Sequence, residues 1–197
     1  MPNESLTQTV EDIDILAGTD RKMTLRLHTP VGAGPFPVVL DLHGGAWCKG
    51  HIDECGTRDN ALAAAGITAG ALDFRHAGDG YPTSNVDINY AVRWVKANAA
   101  KLNIDPARVG LVGQSSGGHL AMLAAMRPND PRYCETPLDG ADATVAAVAM
   151  VWPVINPLSR YHHAHRERAT ENPPSWVGDI PERHDLYWVT EVNMTDG

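Results

Sequence analysis

Apolar and polar residues along this chain follow two repeating patterns, one typical of strands and one typical of helices. Strict alternation over residues 22–29 predicts a half-exposed strand, and residues 7–16 are predicted to form another. The turn-forming residues 18–20 between them predict that these two strands form an antiparallel hairpin. Short, nearly continuous apolar runs are typical of strands that are covered on both faces, as in a parallel sheet. Such runs occupy residues 38–42, 67–74, 109–113 and 145–151.

Helical patterns separate these apolar runs. An apolar stripe predicts the clearest helix at residues 86–102, with Ser84 and Asp87 as a capping pair at its start. Two further helices are expected at residues 53–65 and 116–126. The resulting order, β-β-β-α-β-α-β-α-β, predicts an α/β fold. We expect a mostly parallel sheet with an antiparallel N-terminal hairpin and helices on both faces.

The composition of the chain changes after Trp152. Residues 153–197 hold five of the fourteen prolines and four of the nine histidines, and only residues 160–170 have helical character. We therefore predict two regions: a core over residues 1–152 and a lid-like or cap-like excursion over residues 153–197.

Overall composition narrows the possible partners and the compartment. The 197 residues are 43% hydrophobic and carry a net charge of −8, so no basic footprint points to nucleic acid or to an anionic membrane. The first fourteen residues are polar and lack the features of a signal peptide. Three cysteines do not suggest a disulfide framework. We expect a cytoplasmic protein with no nucleic-acid or membrane partner.

The strongest chemical motif lies between a predicted strand and a predicted helix. Residues 113–117 read Gly-Gln-Ser-Ser-Gly, which matches Gly-x-Ser-x-Gly with Ser115 at its centre. A nucleophile elbow requires this placement, because the sharp turn holds the serine hydroxyl out from the sheet. Ser116 follows the nucleophile, and its backbone N–H would point into the oxyanion site. An ordinary βα turn with a capping serine is the structural alternative.

A second glycine motif follows an earlier predicted strand. His43-Gly44-Gly45-Ala46-Trp47 would let backbone N–H groups approach a substrate oxygen closely, because glycine leaves the backbone bare. We expect His43 to order its own loop by hydrogen bonding. Trp47 is either an aromatic wall beside the acyl group or a core residue.

These motifs together resemble one known fold family. The chain is similar to α/β-hydrolase fold serine esterases of the hormone-sensitive-lipase-like and feruloyl/acetyl-esterase-like branch, over roughly residues 20–155. The resemblance implies that the N–H groups of Gly45, Ala46 and Ser116 form the oxyanion hole. We expect no cofactor and no metal. The motifs that carry it are His43-Gly44-Gly45-Ala46-Trp47, Asp73-Phe74-Arg75, Asp105-Pro106-Ala107-Arg108-Val109 and Gly113-Gln114-Ser115-Ser116-Gly117-Gly118-His119.

The chain departs from the family pattern after residue 151. In this fold the nucleophile is followed by an acid and then by a histidine, each after a further strand. Counting strands, this sequence stops before both, so it resembles only the N-terminal two-thirds of the family fold. We expect the triad acid and histidine to come from a complementary C-terminal segment or a second chain.

The sequence therefore predicts a carboxylic ester hydrolase that acts on a small-molecule ester through a Ser115 acyl-enzyme. Two alternatives stay open: arylformamidase-like amide hydrolysis, and a non-catalytic module that only binds a ligand. The histidines at 162, 163, 165 and 184 are weaker candidates for the base, and the first three lack the spacing of a metal site. A cysteine nucleophile, Cys48 or Cys55 with His51, is a further minor alternative.

Overall fold

A computed structural model describes residues 7–16, 18–19 and 21–197 of the chain. Its strands are β1 (Gln8–Asp14), β2 (Thr24–Pro30), β3 (Phe36–Leu42), β4 (Thr68–Leu72), β5 (Ile104–Gln114) and β6 (Ala147–Val151). Its helices are α1 (Gly56–Ala64), α2 (Thr83–Ala97), α3 (Ala99–Leu102), α4 (Ser116–Met126), α5 (Pro157–Arg168), α6 (Ile180–Trp188) and α7 (Glu191–Asp196). Short 3-10 helices cover Ile52–Cys55 and Ala77–Asp79.

The described strands form one mixed sheet in the order β1-β2-β4-β3-β5-β6. β1 pairs antiparallel with β2, and β2 pairs antiparallel with β4. The pairs β4–β3, β3–β5 and β5–β6 are parallel. α1 packs on β2 and β4, whereas α4 packs on β3, β5 and β6. The predicted α/β class, with its antiparallel hairpin and mostly parallel sheet, is confirmed.

Two local predictions need correction, and a third cannot be compared in full. Ser84 does not cap α2: it lies inside the helix, and its hydroxyl donates a 2.6 Å hydrogen bond to the carbonyl of Arg75. Asp87 does not cap the helix either: it is buried and accepts hydrogen bonds from Arg21 and Arg75. These two guanidinium groups compensate the cost of burying its charge. The predicted turn at residues 18–20 lies partly outside the described residues, since Asp20 is not among them.

Strand β6 is less covered than its apolar sequence predicts. Ala147, Ala149 and Met150 are exposed, and within the described residues β6 pairs only with β5. No strand follows β6 in the described part of the chain. An exposed apolar edge of this kind is a template for pairing with another strand, and it carries none of the charges that usually protect an edge.

The segment after Trp152 contains more helix than its prolines suggest. Besides α5 it forms α6 and α7, which the sequence pattern did not predict. Tyr187 and Trp188 of α6 are fully buried, and the Tyr81 N–H donates to the Tyr187 carbonyl at 2.8 Å. Asp196 accepts hydrogen bonds from the Tyr81 hydroxyl and from Arg127. Residues 153–197 thus pack on the core, while the division at residue 152 stays a prediction.

None of the helices in the described ranges has both the length and the apolarity that crossing a membrane requires.

A buried carboxyl pair lies between β3 and α1. Asp41 is fully buried and paired with Arg58. Asp59 is also fully buried, and neither of its carboxyl oxygens has a hydrogen-bond partner among the described residues. Burial and the negative charge of Asp41 raise the pKa of Asp59 to about 8. Asp59 therefore carries a proton at neutral pH.

This pair gives a pH-dependent prediction for stability. The Asp59 carboxyl ionises near pH 3.8 when unfolded and near pH 8 when folded, so its contribution to folding stability falls as pH rises between those values. Asp59→Asn keeps the shape and cannot ionise. We expect its denaturation midpoint to match that of the unmodified protein near pH 4.5 and to exceed it increasingly towards pH 8.5.

Chemical denaturation across that pH range measures the effect. A pKa difference of one corresponds to about 1.4 kcal/mol, so a gain of at least about 1 kcal/mol is expected at pH 8.5. Asp73→Asn, at an exposed residue, is the matched control and should show no such trend. A constant difference between Asp59→Asn and the unmodified protein at all pH values would contradict a protonated Asp59.

Candidate active site

Ser115 lies at the sharp turn between β5 and α4. Its backbone has φ 54° and ψ −119°, a conformation that residues with a side chain rarely adopt. The Ser115 N–H donates to the Val151 carbonyl at 2.9 Å, and the Ser115 carbonyl accepts from the N–H groups of His119 and Val154. Neighbouring backbone therefore holds the strained turn in place on both sides.

The glycines around Ser115 are required by close backbone contacts. A Cβ at Gly113 would lie 2.2 Å from the Gly117 carbonyl oxygen. One at Gly117 would lie 2.2 Å from the Leu42 carbonyl oxygen and 2.3 Å from that of His43. Side chains at either position would collide with backbone, which cannot move aside cheaply. The Gly-x-Ser-x-Gly spacing thus has the steric cause expected of a nucleophile elbow.

The loop after β3 lies against this turn. A Cβ at Gly44 would be 3.4 Å from the Ser115 Cβ. Gly45 has φ +109° and Ala46 has φ 51°, so the loop curls tightly, and the N–H groups of Cys48 and Lys49 both bond to the Gly45 carbonyl. The N–H groups of Gly45 and Ala46 donate no hydrogen bond to any part of the chain that the structure describes.

His43 has a structural environment in this loop. Its ring stacks on Phe74 with a centroid distance of 4.3 Å, and its Nδ1 lies 2.9 Å from the Gly44 carbonyl oxygen, an arrangement in which Nδ1–H donates. Burial lowers the pKa of His43, so the ring is neutral at pH 7. These contacts support the prediction that His43 orders its own loop.

Ser115 opens into a cleft of about 580 Å³. The rest of the lining comes from the segment that leaves β6 and from one face of α5. The lining residues are Ser115, Trp152, Pro153, Val154, Ile155, Asn156, Ser159, Arg160, His163 and Arg166. The cleft can therefore admit a small molecule to the Ser115 hydroxyl.

The sequence left two roles open for Trp47, a core residue or an aromatic wall beside the substrate, and the structure gives these positions to two different tryptophans. Trp47 is only 1% exposed and packs edge-to-face against His119, His184 and Trp188, so it is a core residue. The aromatic residue in the cleft is Trp152, which is 73% exposed and has φ 37°. Its position directly after an apolar strand on the Ser115 side of the sheet is the signal that could have identified it.

No histidine in the described part of the chain forms a hydrogen bond with the Ser115 hydroxyl. His163 lines the same cleft, but its ring stacks on Trp176. His184 is fully buried, its Nδ1 lies 2.8 Å from the Ile180 carbonyl oxygen, and burial lowers its pKa to about 4. His119 is fully buried and packs edge-to-face against Trp47 and Trp188. The base that a serine nucleophile needs is not assembled among these side chains.

The cysteine alternative finds no support in the geometry. The Cys48 thiol donates to the Arg183 carbonyl, and burial raises its pKa to about 11, which leaves it protonated at neutral pH. Burial also raises the pKa of Cys55. His51 instead contacts Asp53. Within the described ranges, no three His, Cys, Asp or Glu side chains gather as a metal site.

Comparison with known proteins places these features in a family. The sequence profile of the BD-FAE family matches residues 25–191, a span that includes the Gly45 loop, the Ser115 elbow and the cleft. The chain belongs to the BD-FAE family. The resemblance to α/β-hydrolase fold esterases, based on the motifs alone, is thereby confirmed.

Two curated relatives are matched over only part of their length. It is 34% identical to the probable carboxylic ester hydrolase LipM of Mycobacterium tuberculosis over 123 residues, which is 61% of this chain and 28% of LipM. It is 37% identical to the carboxylesterase NlhH of the same species over 104 residues, which is 51% of this chain and 32% of NlhH. The matched part thus spans about a third of each relative.

Solved structures show the same fold for this BD-FAE chain. An esterase of Pyrobaculum calidifontis superposes with a TM-score of 0.76 at 22% identity, covering 98% of this chain and 60% of that one. The esterase LipW of Mycobacterium marinum gives a TM-score of 0.72 at 24% identity, covering 93% and 55%.

Proposed function

We propose that this chain carries the nucleophile and the oxyanion hole of a carboxylic ester hydrolase. The observation that carries the proposal is the strained Ser115 turn, which is held by backbone on both sides and opens into a small-molecule cleft. The esterase names of the relatives in the same family support it.

The reaction follows from these positions. The Ser115 hydroxyl oxygen attacks the acyl carbon of the ester, and the carbonyl oxygen becomes an oxyanion. The N–H groups of Gly45, Ala46 and Ser116 would donate hydrogen bonds to it, and the positive end of the α4 dipole adds to its stabilisation. The base that accepted the Ser115 hydroxyl proton during the attack gives it to the leaving oxygen as the C–O bond to the alcohol breaks. Water then hydrolyses the acyl-enzyme, which releases the acid and restores the Ser115 hydroxyl.

The base and its orienting acid are proposed to come from outside these 197 residues. Two observations support this: no histidine of the described chain bonds to Ser115, and β6 presents an exposed apolar edge. A strand paired parallel to β6 at that edge would place its carboxyl end beside the carboxyl ends of β5 and β6, where the Ser115 turn lies. The acid would follow this strand, and the histidine would follow a later one.

Covalent labelling identifies the nucleophile directly. A neutral fluorophosphonate is expected to label Ser115, identified by peptide mass, in protein that hydrolyses p-nitrophenyl acetate. An unlabelled Ser115 in protein that hydrolyses the ester would refute Ser115 as the nucleophile, whereas an unlabelled Ser115 in protein that hydrolyses no ester would favour a non-catalytic binding module. Faster hydrolysis of an N-formyl arylamide than of the matching aryl ester would instead favour the arylformamidase-like reaction.

The β6 edge gives a prediction for the 197-residue chain on its own. We expect it to aggregate and to show no esterase activity, and we expect co-expression with the acid- and histidine-bearing segment to restore both solubility and turnover. Ala149→Lys places a charge on the exposed strand, so it should raise the solubility of the isolated chain and weaken this complementation.

Light scattering and p-nitrophenyl acetate hydrolysis provide the two readouts. Ala169→Lys, at an exposed position after α5 and away from the sheet, is the control and should leave complementation unchanged. If the 197-residue chain alone proves soluble, monomeric and active, a histidine within residues 153–197 supplies the base and the complementing segment is not needed.

A further inference from the structure

One face of α5 forms a wall of the cleft and carries positive charge. Ser159, Arg160, His163 and Arg166 follow each other at spacings of one, three and three residues, so they share a helix face, and all four line the cleft with Ser115. None of the residues that line the cleft is acidic. Two guanidinium groups therefore share a cavity with the proposed nucleophile and with no carboxylate.

The two cleft arginines differ from every other arginine in this protein. The chain has twelve arginines, all between residues 21 and 197. Ten of them donate hydrogen bonds to carboxylate, amide or backbone oxygens within the described structure. Those ten are Arg21, Arg26, Arg58, Arg75, Arg93, Arg108, Arg127, Arg132, Arg168 and Arg183. The guanidinium groups of Arg160 and Arg166 donate no hydrogen bond to the described residues, and both side chains line the Ser115 cleft.

Arg160 is the more constrained of the two. It is half-buried, and its Nη1 is buried without a hydrogen-bond partner among the described residues. Burial and the nearby charge of Arg183 lower its pKa, and Arg183 is itself engaged by Asp179. A buried donor without a partner is costly, and more so when it is charged. An anion bound in the cleft would supply the missing acceptor.

We propose that the ester hydrolysed at Ser115 carries a carboxylate, and that Arg160, assisted by Arg166, binds that carboxylate and sets the substrate preference. The planar guanidinium suits a carboxylate because it can donate two parallel hydrogen bonds. The absence of acidic side chains in the lining leaves no internal competitor for these donors. This assignment rests on the proposed ester hydrolysis for its reaction, but the binding of a carboxylate does not depend on it.

Matched esters test the preference in protein that turns over p-nitrophenyl valerate. Mono-p-nitrophenyl glutarate has the same acyl chain length and adds a terminal carboxylate. We expect the unmodified protein to hydrolyse the glutarate ester with the higher kcat/KM. Arg160→Met should lower that value about tenfold to a hundredfold, the usual effect of losing a hydrogen bond to a charged group. Valerate hydrolysis should stay within about threefold by the same reasoning, since a neutral chain makes no such bond.

Three further variants define the role of the cleft charge. Arg160→Lys keeps the charge without the planar fork, so it should retain part of the glutarate preference. Arg166→Met should lower the preference less than Arg160→Met does. Arg168→Met, on the same helix but paired with Glu182 outside the cleft, is the control and should leave the preference unchanged. Equal losses for both esters in Arg160→Met would show a structural role and overturn the proposal.

A calorimetric titration of the Ser115→Ala protein separates this proposal from the catalytic one. Glutarate is expected to bind, glutaramide is not, and Arg160→Met in the same background should abolish glutarate binding while its melting temperature stays similar. If the protein binds glutarate but its Ser115 proves inert, the proposed carboxylate site is supported and the proposed ester hydrolysis is refuted. Ester hydrolysis with no glutarate preference and no glutarate binding would overturn the carboxylate site and leave the hydrolase intact.

Discussion

Ser115→Ala is expected to lower ester hydrolysis by about 10³-fold or more, because loss of an attacking serine usually costs several orders of magnitude. Fluorophosphonate labelling should disappear with it. The fold should be unaffected, since the hydroxyl forms no hydrogen bond with the described residues. Ser175→Ala, at an exposed serine outside the cleft, is the matched control. Retention of more than about a tenth of the rate would identify a different nucleophile.

Ser115→Gly adds a second readout to the same position. Glycine adopts positive φ without steric cost, whereas the serine turn at φ 54° is strained. We expect this variant to lose activity like Ser115→Ala and to gain about 1 kcal/mol in the free energy of unfolding. Urea denaturation measures the gain. A loss of stability instead would show that the turn is not a source of strain.

Gly45→Val is expected to lower kcat by about 10²-fold or more, the usual effect of losing one oxyanion donor. Gly45 has φ +109°, and a Cβ there would lie 1.8 Å from the Lys49 carbonyl oxygen. A branched side chain must therefore open the tight loop and shift the N–H groups of Gly45 and Ala46. Steady-state kinetics with p-nitrophenyl acetate measures the loss.

The controls for Gly45→Val separate loop geometry from general damage. Gly56→Val is matched in chemistry, and a Cβ at Gly56 meets nothing within 4 Å, so it should keep kcat. The melting temperature of each variant reports whether the fold survives. A higher KM with an unchanged kcat in Gly45→Val would refute the proposed role of Gly45 in the oxyanion hole.

The sheet could be predicted from sequence because its strands are short apolar runs bounded by turn residues. The run at residues 67–74 became β4, all five residues of which are buried. The same reasoning was incomplete for residues 145–151, where an equally apolar run forms an exposed edge strand. Apolar composition predicts that a strand is buried by neighbouring elements. It does not show which strand or helix buries it, because that depends on tertiary packing.

Helix α6 was predictable from the spacing of its apolar residues, but the prolines of this segment argued against a helix. Ile180, His184, Tyr187 and Trp188 are buried and fall at spacings of four, three and one, which is the pattern of one helix face. Pro181 lies in the first turn, where proline is tolerated because its missing N–H would be unpaired there anyway.

The candidate site was only partly predictable for a similar reason. The elbow depends on local sterics, so Gly-x-Ser-x-Gly in its strand-to-helix context was enough to single out Ser115 as the candidate nucleophile. The cleft wall depends on tertiary packing, which brings Trp152 and Arg160 to Ser115 from a segment with no recognisable motif. Asp87, predicted to cap a helix, proved to be a buried ion-pair partner because Arg21 and Arg75 reach it from other elements.

The backbone contacts of Ser115 determine which parts of the cleft can vary in protein engineering. Its N–H and carbonyl are bonded to Val151 and Val154, which flank Trp152 and Pro153 of the cleft wall. We expect substitutions in this stretch to change the substrate range and the position of the proposed nucleophile together, so most should lose activity. The α5 wall makes no backbone hydrogen bond to Ser115. A library at residues 159, 160, 163 and 166 should therefore yield altered specificities at a higher frequency than one at residues 152–155.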